Sequence, residues 1–187
     1  MASVASIIHV SRLDAATRQL ATAIRLYFED DDPVSVHTLA KAAGEIIDRL
    51  CELNRTPAMR ADMLEMIVPD KRRYVADKLN EAANAFKHAS SKKPDKTPIE
   101  FSDDQNFFAI LMAVDGFRLL GVDLIEAKHF GGWVRLVEPG LMLNPTEPAV
   151  LAAIERIFGD ITNQPRAAQK AVARDALHLA KTGKLPA

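Results

Sequence analysis

The apolar positions of this chain recur almost everywhere at spacings of three and four, the period of helices buried along one face. Leu13, Ala16, Leu20, Ala23 and Tyr27 form the first stripe, and Val36, Leu39, Ala43, Ile46, Leu50 and Leu53 form the second. Between them lies Glu29-Asp30-Asp31-Asp32-Pro33. Its acidic run disfavours a helix C-terminus, and the proline ends the helix. The pattern predicts an antiparallel hairpin whose first helix opens on a Ser11–Asp14 capping box. Thr56-Pro57 predicts the start of a short third helix to about Val68, which Pro69-Asp70 breaks.

A long helix follows, from Lys71 to about Ser90. Val75, Leu79, Ala82, Phe86 and Ala89 share its apolar face. Asn84 and His88, one turn apart, lie on the opposite face with Glu81 beside them and Lys87 at the edge. Ser90 to Thr97 reads as a loop, Pro98 to Phe101 as a brief extended piece, and Ser102 with Gln105 as a second capping box. The helix from Asp103 to Leu120 is apolar almost all round, which predicts a central strut covered on several sides. Phe86 and Leu111 are expected deep in the core and near one another. Gly131-Gly132 predicts a kink or split within Asp123 to Val137. Two more helices, about Glu147 to Phe158 and Pro165 to Lys181, end at Gly159 and Gly183. No alternating run is long enough to argue for a sheet. The predicted fold is all-α: an up-down bundle of four to five core helices with two additional C-terminal helices. It is read as one domain over residues 1–187, with the core bundle at about 11–138 and a helical annex at about 146–183.

Composition narrows the function. The chain has 187 residues, 48% hydrophobic and 26% charged, the balance of a globular protein with a core. Its net charge of −1 provides no global field toward nucleic acid or anionic membrane. Cys51 is the only cysteine, which excludes an internal disulfide and points to a reducing cytoplasm. Its lipophilic neighbours and the lack of an adjacent histidine favour a buried structural thiol. The opening MASVASIIHV lacks a charged n-region and a long apolar stretch. The uncharged run Gln105 to Val114 is too short to span a bilayer. There is no phosphate-cradling glycine loop, GxGxxG, GxSxG, HExxH or paired-cysteine zinc motif. Hydrolysis by a P-loop and hydride transfer on a Rossmann fold are therefore disfavoured, and no metal or cofactor is expected.

Candidate chemistry collects where the up-down topology brings segments together. One bundle end would hold Asp30, Asp31, Asp32, His37, Lys41, Asn84, Lys87 and His88. Histidines and carboxylates of this kind can bind a metal or serve as general acid and base. The alternative is a solvated end of caps and ion pairs. Asp32, His37, Lys41 and Lys87 are the ligand-binding candidates, and at least one histidine is expected to hold its proton more tightly beside the acidic turn. A basic stripe, Arg166, Lys170, Arg174 and His178, is either a track for an acidic partner or phosphate backbone, or a solvated face. Asp115 and Arg118 have the spacing of an intrahelical ion pair. Trp133 either closes a core or marks a groove.

Three segments carry a resemblance: Leu13-Asp14-Ala15-Ala16-Thr17-Arg18-Gln19-Leu20, Asp32-Pro33-Val34-Ser35-Val36-His37-Thr38-Leu39-Ala40 and Ala82-Ala83-Asn84-Ala85-Phe86-Lys87-His88-Ala89. Together they resemble a family of small uncharacterised bacterial proteins that is itself similar to the HEPN helical-bundle superfamily. HEPN ribonucleases carry an arginine, a polar residue, three further residues and a histidine at a dimer interface. The resemblance implies catalytic roles for Asn84 and His88, but the arginine position is Ala83. Alanine cannot stabilise charge building on a phosphate during cleavage. The implied function is thus a non-catalytic or degenerate HEPN-like interaction or regulatory module. It would be a homodimer that binds a protein or small polar ligand at the bundle end, with no membrane association. The alternative is a metal-independent ribonuclease or toxin acting on RNA through Asn84 and His88.

Overall fold

The helices form where the stripes place them. A computed structural model describes residues 7–58, 62, 69–87, 98–141 and 146–184. These are all-helical: α1 (Arg12–Glu29), α2 (Pro33–Leu53), α3 (Pro69–Lys87), α4 (Asp103–Leu119), α5 (Ile125–Val137), a 3-10 turn (Pro139–Leu141), α6 (Pro148–Phe158) and α7 (Arg166–Lys181). The short helix expected from Pro57 to about Val68 falls largely outside the described residues, and the Ser90 to Thr97 loop wholly so. No described helix is long and apolar enough to cross a membrane.

Local chemistry sets the helix ends. Ser11 Oγ accepts the Asp14 amide at 3.0 Å while Asp14 accepts the Ser11 amide at 3.1 Å, the expected capping box. Asp30 adopts a left-handed conformation (φ 55°) that turns the chain after α1. Asp32 then caps α2, accepting the Ser35 amide at 3.0 Å ahead of Pro33 at the first helical position. Ser102 precedes α4 without any side-chain capping bond, so the second expected capping box does not form.

One contiguous core runs through α1, α2, α4, α5, α6 and α7. On one side α4 lies tight on α2. A Cβ at Gly116 would sit 2.3 Å from Ile47 Cγ2, so the approach depends on glycine. Cys51, buried here, points its thiol at the Gly116 carbonyl. On the other side Tyr27, Phe28, Phe107, Phe130 and Trp133 pack ring against ring, with Phe28 and Trp133 centroids 5.4 Å apart. α7 closes this side with Ala173, Ala176 and Leu177, and Trp133 Nε1 donates to the Gln169 carbonyl at 3.3 Å.

Three expectations are corrected. α4 is not covered all round: Asn106, Phe107, Ile110, Ala113 and Phe117 face inward, but Phe108 is 47% exposed. Phe86 and Leu111 are half-buried rather than deep, because each is covered by the bundle on one side only. α5 runs unbroken through Gly131-Gly132. Its buried neighbours Phe130, Trp133 and Val134 pin the helix on both sides of the pair, which offsets the poor helix propensity of glycine.

Candidate functional site

The second turn of α2 points His37 into the protein rather than out at a solvated bundle end. α3 and the lead-in to α4 cover it, so its ring meets Phe86 (centroids 6.0 Å apart) and Phe101 (5.0 Å) edge to face. Asn106, from the first turn of α4, donates its Nδ2 to the Pro33 carbonyl at 3.1 Å. That bond orients the amide, leaving Oδ1 to accept from His37 Nδ1 at 3.2 Å. Nδ1 therefore carries the proton. Nε2 presents a lone pair, and it is buried with no partner among the described residues.

Burial pushes the His37 pKa below its ordinary value; the Asn106 bond opposes this, and the charges of Lys41 and Lys87 push it lower still. The expectation of a tightly held proton is thus reversed at His37. The acidic turn is occupied elsewhere, with Asp32 capping α2 and Asp30 paired with Lys170. Bonds from Ser35 hold the Asp32 carboxyl below its usual range.

The other candidates divide. Lys41 is buried and donates to Asn80 Oδ1 at 2.8 Å, while Lys87 pairs with Glu45 at 3.2 Å. Both bonds tie α3 to α2 on the side where His37 lies. Beside them Ala40, Lys41, Gly44, Ala109 and Met112 line a shallow cleft with room for about one water. Asn84 is exposed on the outer side of α3, and Ala83 next to it is buried against the bundle. His88 lies outside the described residues. The structure therefore groups His37, Lys41 and Lys87, while Asp30 is engaged with Lys170, Asp32 with the start of α2, and Asn84 is exposed. Among the described residues no group of histidine, cysteine and carboxylate side chains is placed to hold a metal.

The basic stripe of α7 also divides. Lys170 is buried, with Nζ 2.8 Å from Asp30, 2.7 Å from Asp103 and 4.1 Å over the Tyr27 ring. Arg166 stacks 5.2 Å over Trp133 and pairs with Glu138. Arg174 and His178 remain exposed. The first half of the stripe is thus structural. Its partners lie far away in sequence, so no local spacing announced them.

Among the described residues, two buried titratable groups were missed altogether. Glu126, first-turn acid of α5, takes Lys181 at 2.7 Å and Arg25 at 3.4 Å. Burial alone would raise its pKa, but the Lys181 bond and the two cations outweigh it and the carboxyl sits below its usual range. His129 donates Nε2–H to the Ala173 carbonyl at 2.9 Å, and burial pushes its pKa down.

Comparison with protein-family models, curated proteins and solved structures finds no match to this chain.

Proposed function

We propose that this chain is a HEPN-like helical interaction module that works as a homodimer. It receives a polar ligand, or a polar group of a protein partner, where α2, α3 and α4 meet. The observation that supports this most is the unpartnered Nε2 of His37. Leaving a buried acceptor unpaired costs about 1–3 kcal/mol, and such groups mark places where something else supplies the bond. The entering group is a hydrogen-bond donor: a hydroxyl, an amide or an ammonium. Its route is past Phe86 and Phe101, whose side chains are only half-buried. The test is the imidazole 15N spectrum of the full chain during titration with nucleotides, amino acids and short peptides. A saturable shift of His37 Nε2 is expected with at least one of them. If none moves it, and the protein sediments as a monomer at micromolar concentration, the reading fails.

A second reading, a metal-independent ribonuclease using Asn84 and His88, draws on the exposure of Asn84 one turn before position 88. Against it, the residue at the arginine position, Ala83, is 1% exposed and faces the bundle. RNA degradation by the purified protein decides the matter. Activity lost in His88→Ala supports this reading, while equal activity in both proteins, or none in either, sinks it.

A further inference from the structure

α4 has two unlike faces. Its inner face is buried against α1, α2 and α5. Its outer face carries Asp104, Phe108, Leu111, Asp115 and Arg118, all within an arc of about 80° at helical spacing. Asp104 is exposed, Phe108 is 47% exposed, and Leu111 is half-buried. The Arg118 side chain is 65% exposed, and its guanidinium is drawn along the stripe at 2.8 Å by Asp115, whose own side chain is largely covered (15% exposed).

The order of these residues is informative. Asp104 and Arg118 lie equally far from Leu111 along the helix, about two turns on either side. A two-fold axis through Leu111 exchanges the two positions, so the acid of each copy meets the base of the other. Phe108 then falls between the ion pair and the axis, beside the Leu111 side chains. Parallel pairing would oppose acid to acid and base to base. The stripe is thus self-complementary in one orientation, which is what an isologous contact requires.

We infer that the outer face of α4 is the homodimer interface, with two copies packed antiparallel about Leu111 and closed by two Asp104–Arg118 pairs. The inference rests on the homodimer in the reading above and does not depend on the His37 site. It makes Phe108 the apolar anchor and the charges the determinant of orientation.

Sedimentation of the full chain tests it. The wild-type protein is expected to be a dimer at micromolar concentration. Asp104→Arg and Arg118→Glu each set like charges against each other and should weaken the dimer at least about tenfold. Mixing the two variants should restore dimerisation, because each base then faces an acid. Should a reversed variant lose helix content, Leu111→Cys carries the test, since two cysteines at the axis cross-link under mild oxidation. A monomeric wild-type protein overturns the homodimer and this interface together. A dimer that ignores both reversals, a mixture that stays monomeric, or Leu111→Cys failing to cross-link in a persistent dimer overturns this interface and leaves the homodimer standing.

Discussion

His129 and His37 are both buried histidines, and they sit in regions built on different terms. His129 lies between Phe28 and Phe158, with its N–H on the Ala173 carbonyl. Around it, Trp133 has an acceptor, Lys170 has two carboxylates and Glu126 has two cations. Each of these four groups is paired. His37 is paired at one nitrogen only, and among the described side chains its neighbour α3 meets the bundle through one large ring, Phe86, through the small residues Ala82 and Ala83, and through the Lys41–Asn80 and Lys87–Glu45 bonds. A surface that depends on few large apolar contacts opens at lower cost than the global core. The difference separates a scaffold from the region where the proposed polar group would enter.

Truncating a ring in each region should give the largest difference between them. Trp133→Ala should cost about 3–5 kcal/mol in urea unfolding, because the side chain is fully enclosed. Phe86→Ala should cost only about 1 kcal/mol, because part of its surface is already in water. Equal losses would mean that α3 is as firmly built in as α5.

Next in size is a pair of glycine substitutions with opposite signs. Gly116→Ala forces a methyl group onto Ile47 and should cost about 1–3 kcal/mol. Gly44→Ala, on the opposing helix, places its methyl 3.9 Å from Ala113 and should stabilise by up to about 1 kcal/mol through helix propensity. Thermal melting of the two variants checks both. Destabilisation by Gly44→Ala would show that α2 and α4 are closer there than the structure has them.

What was legible in the sequence was local. The Ser11–Asp14 box and the buried Cys51 depend on neighbours a few residues away, and the structure has them as read. Helical periodicity also located the elements. It could not say which side of a helix would be covered. α4 is apolar on every side, so its pattern left no way to see that Phe108 would face out. His37 looked like part of an open polar end because its cover, Phe86 and Phe101, comes from distant segments. Lys170 looked like part of a surface stripe for the same reason, with Asp30 and Asp103 hidden far along the chain.

The histidines supply a pH test. Both are pushed below their ordinary pKa of 6.5 by burial. The unfolded chain therefore binds protons that the native state does not, and stability rises with pH through this window. No penalty is present above about pH 7.5. It should grow as the pH falls through 6.5, well before the Asp32 and Glu126 carboxyls titrate, because both of those are held low. The urea midpoint should drop between pH 7.5 and 5.5, and His37→Gln should flatten part of that slope. A flat profile in the wild-type protein would mean that both rings are protonated freely in the native state.

The smallest effect tests how His37 is tied to α3. The Lys87–Glu45 pair is only partly shielded, with side chains 24% and 50% exposed. Surface pairs of this kind are worth about 0.2–1 kcal/mol, so Lys87→Ala should barely move the unfolding midpoint. It should nevertheless be visible at the imidazole. The Lys87 charge is one of the influences that disfavour protonation of His37, and removing it should raise the His37 pKa, read by NMR titration. Glu45→Ala breaks the same pair yet leaves the ammonium in place, so it should not produce that rise. If both variants shift His37 upward alike, the cause is loosening of α3 and entry of water, not loss of charge. If neither does, the end of α3 does not sit over His37 in solution, and the proposed route past Phe86 goes with it.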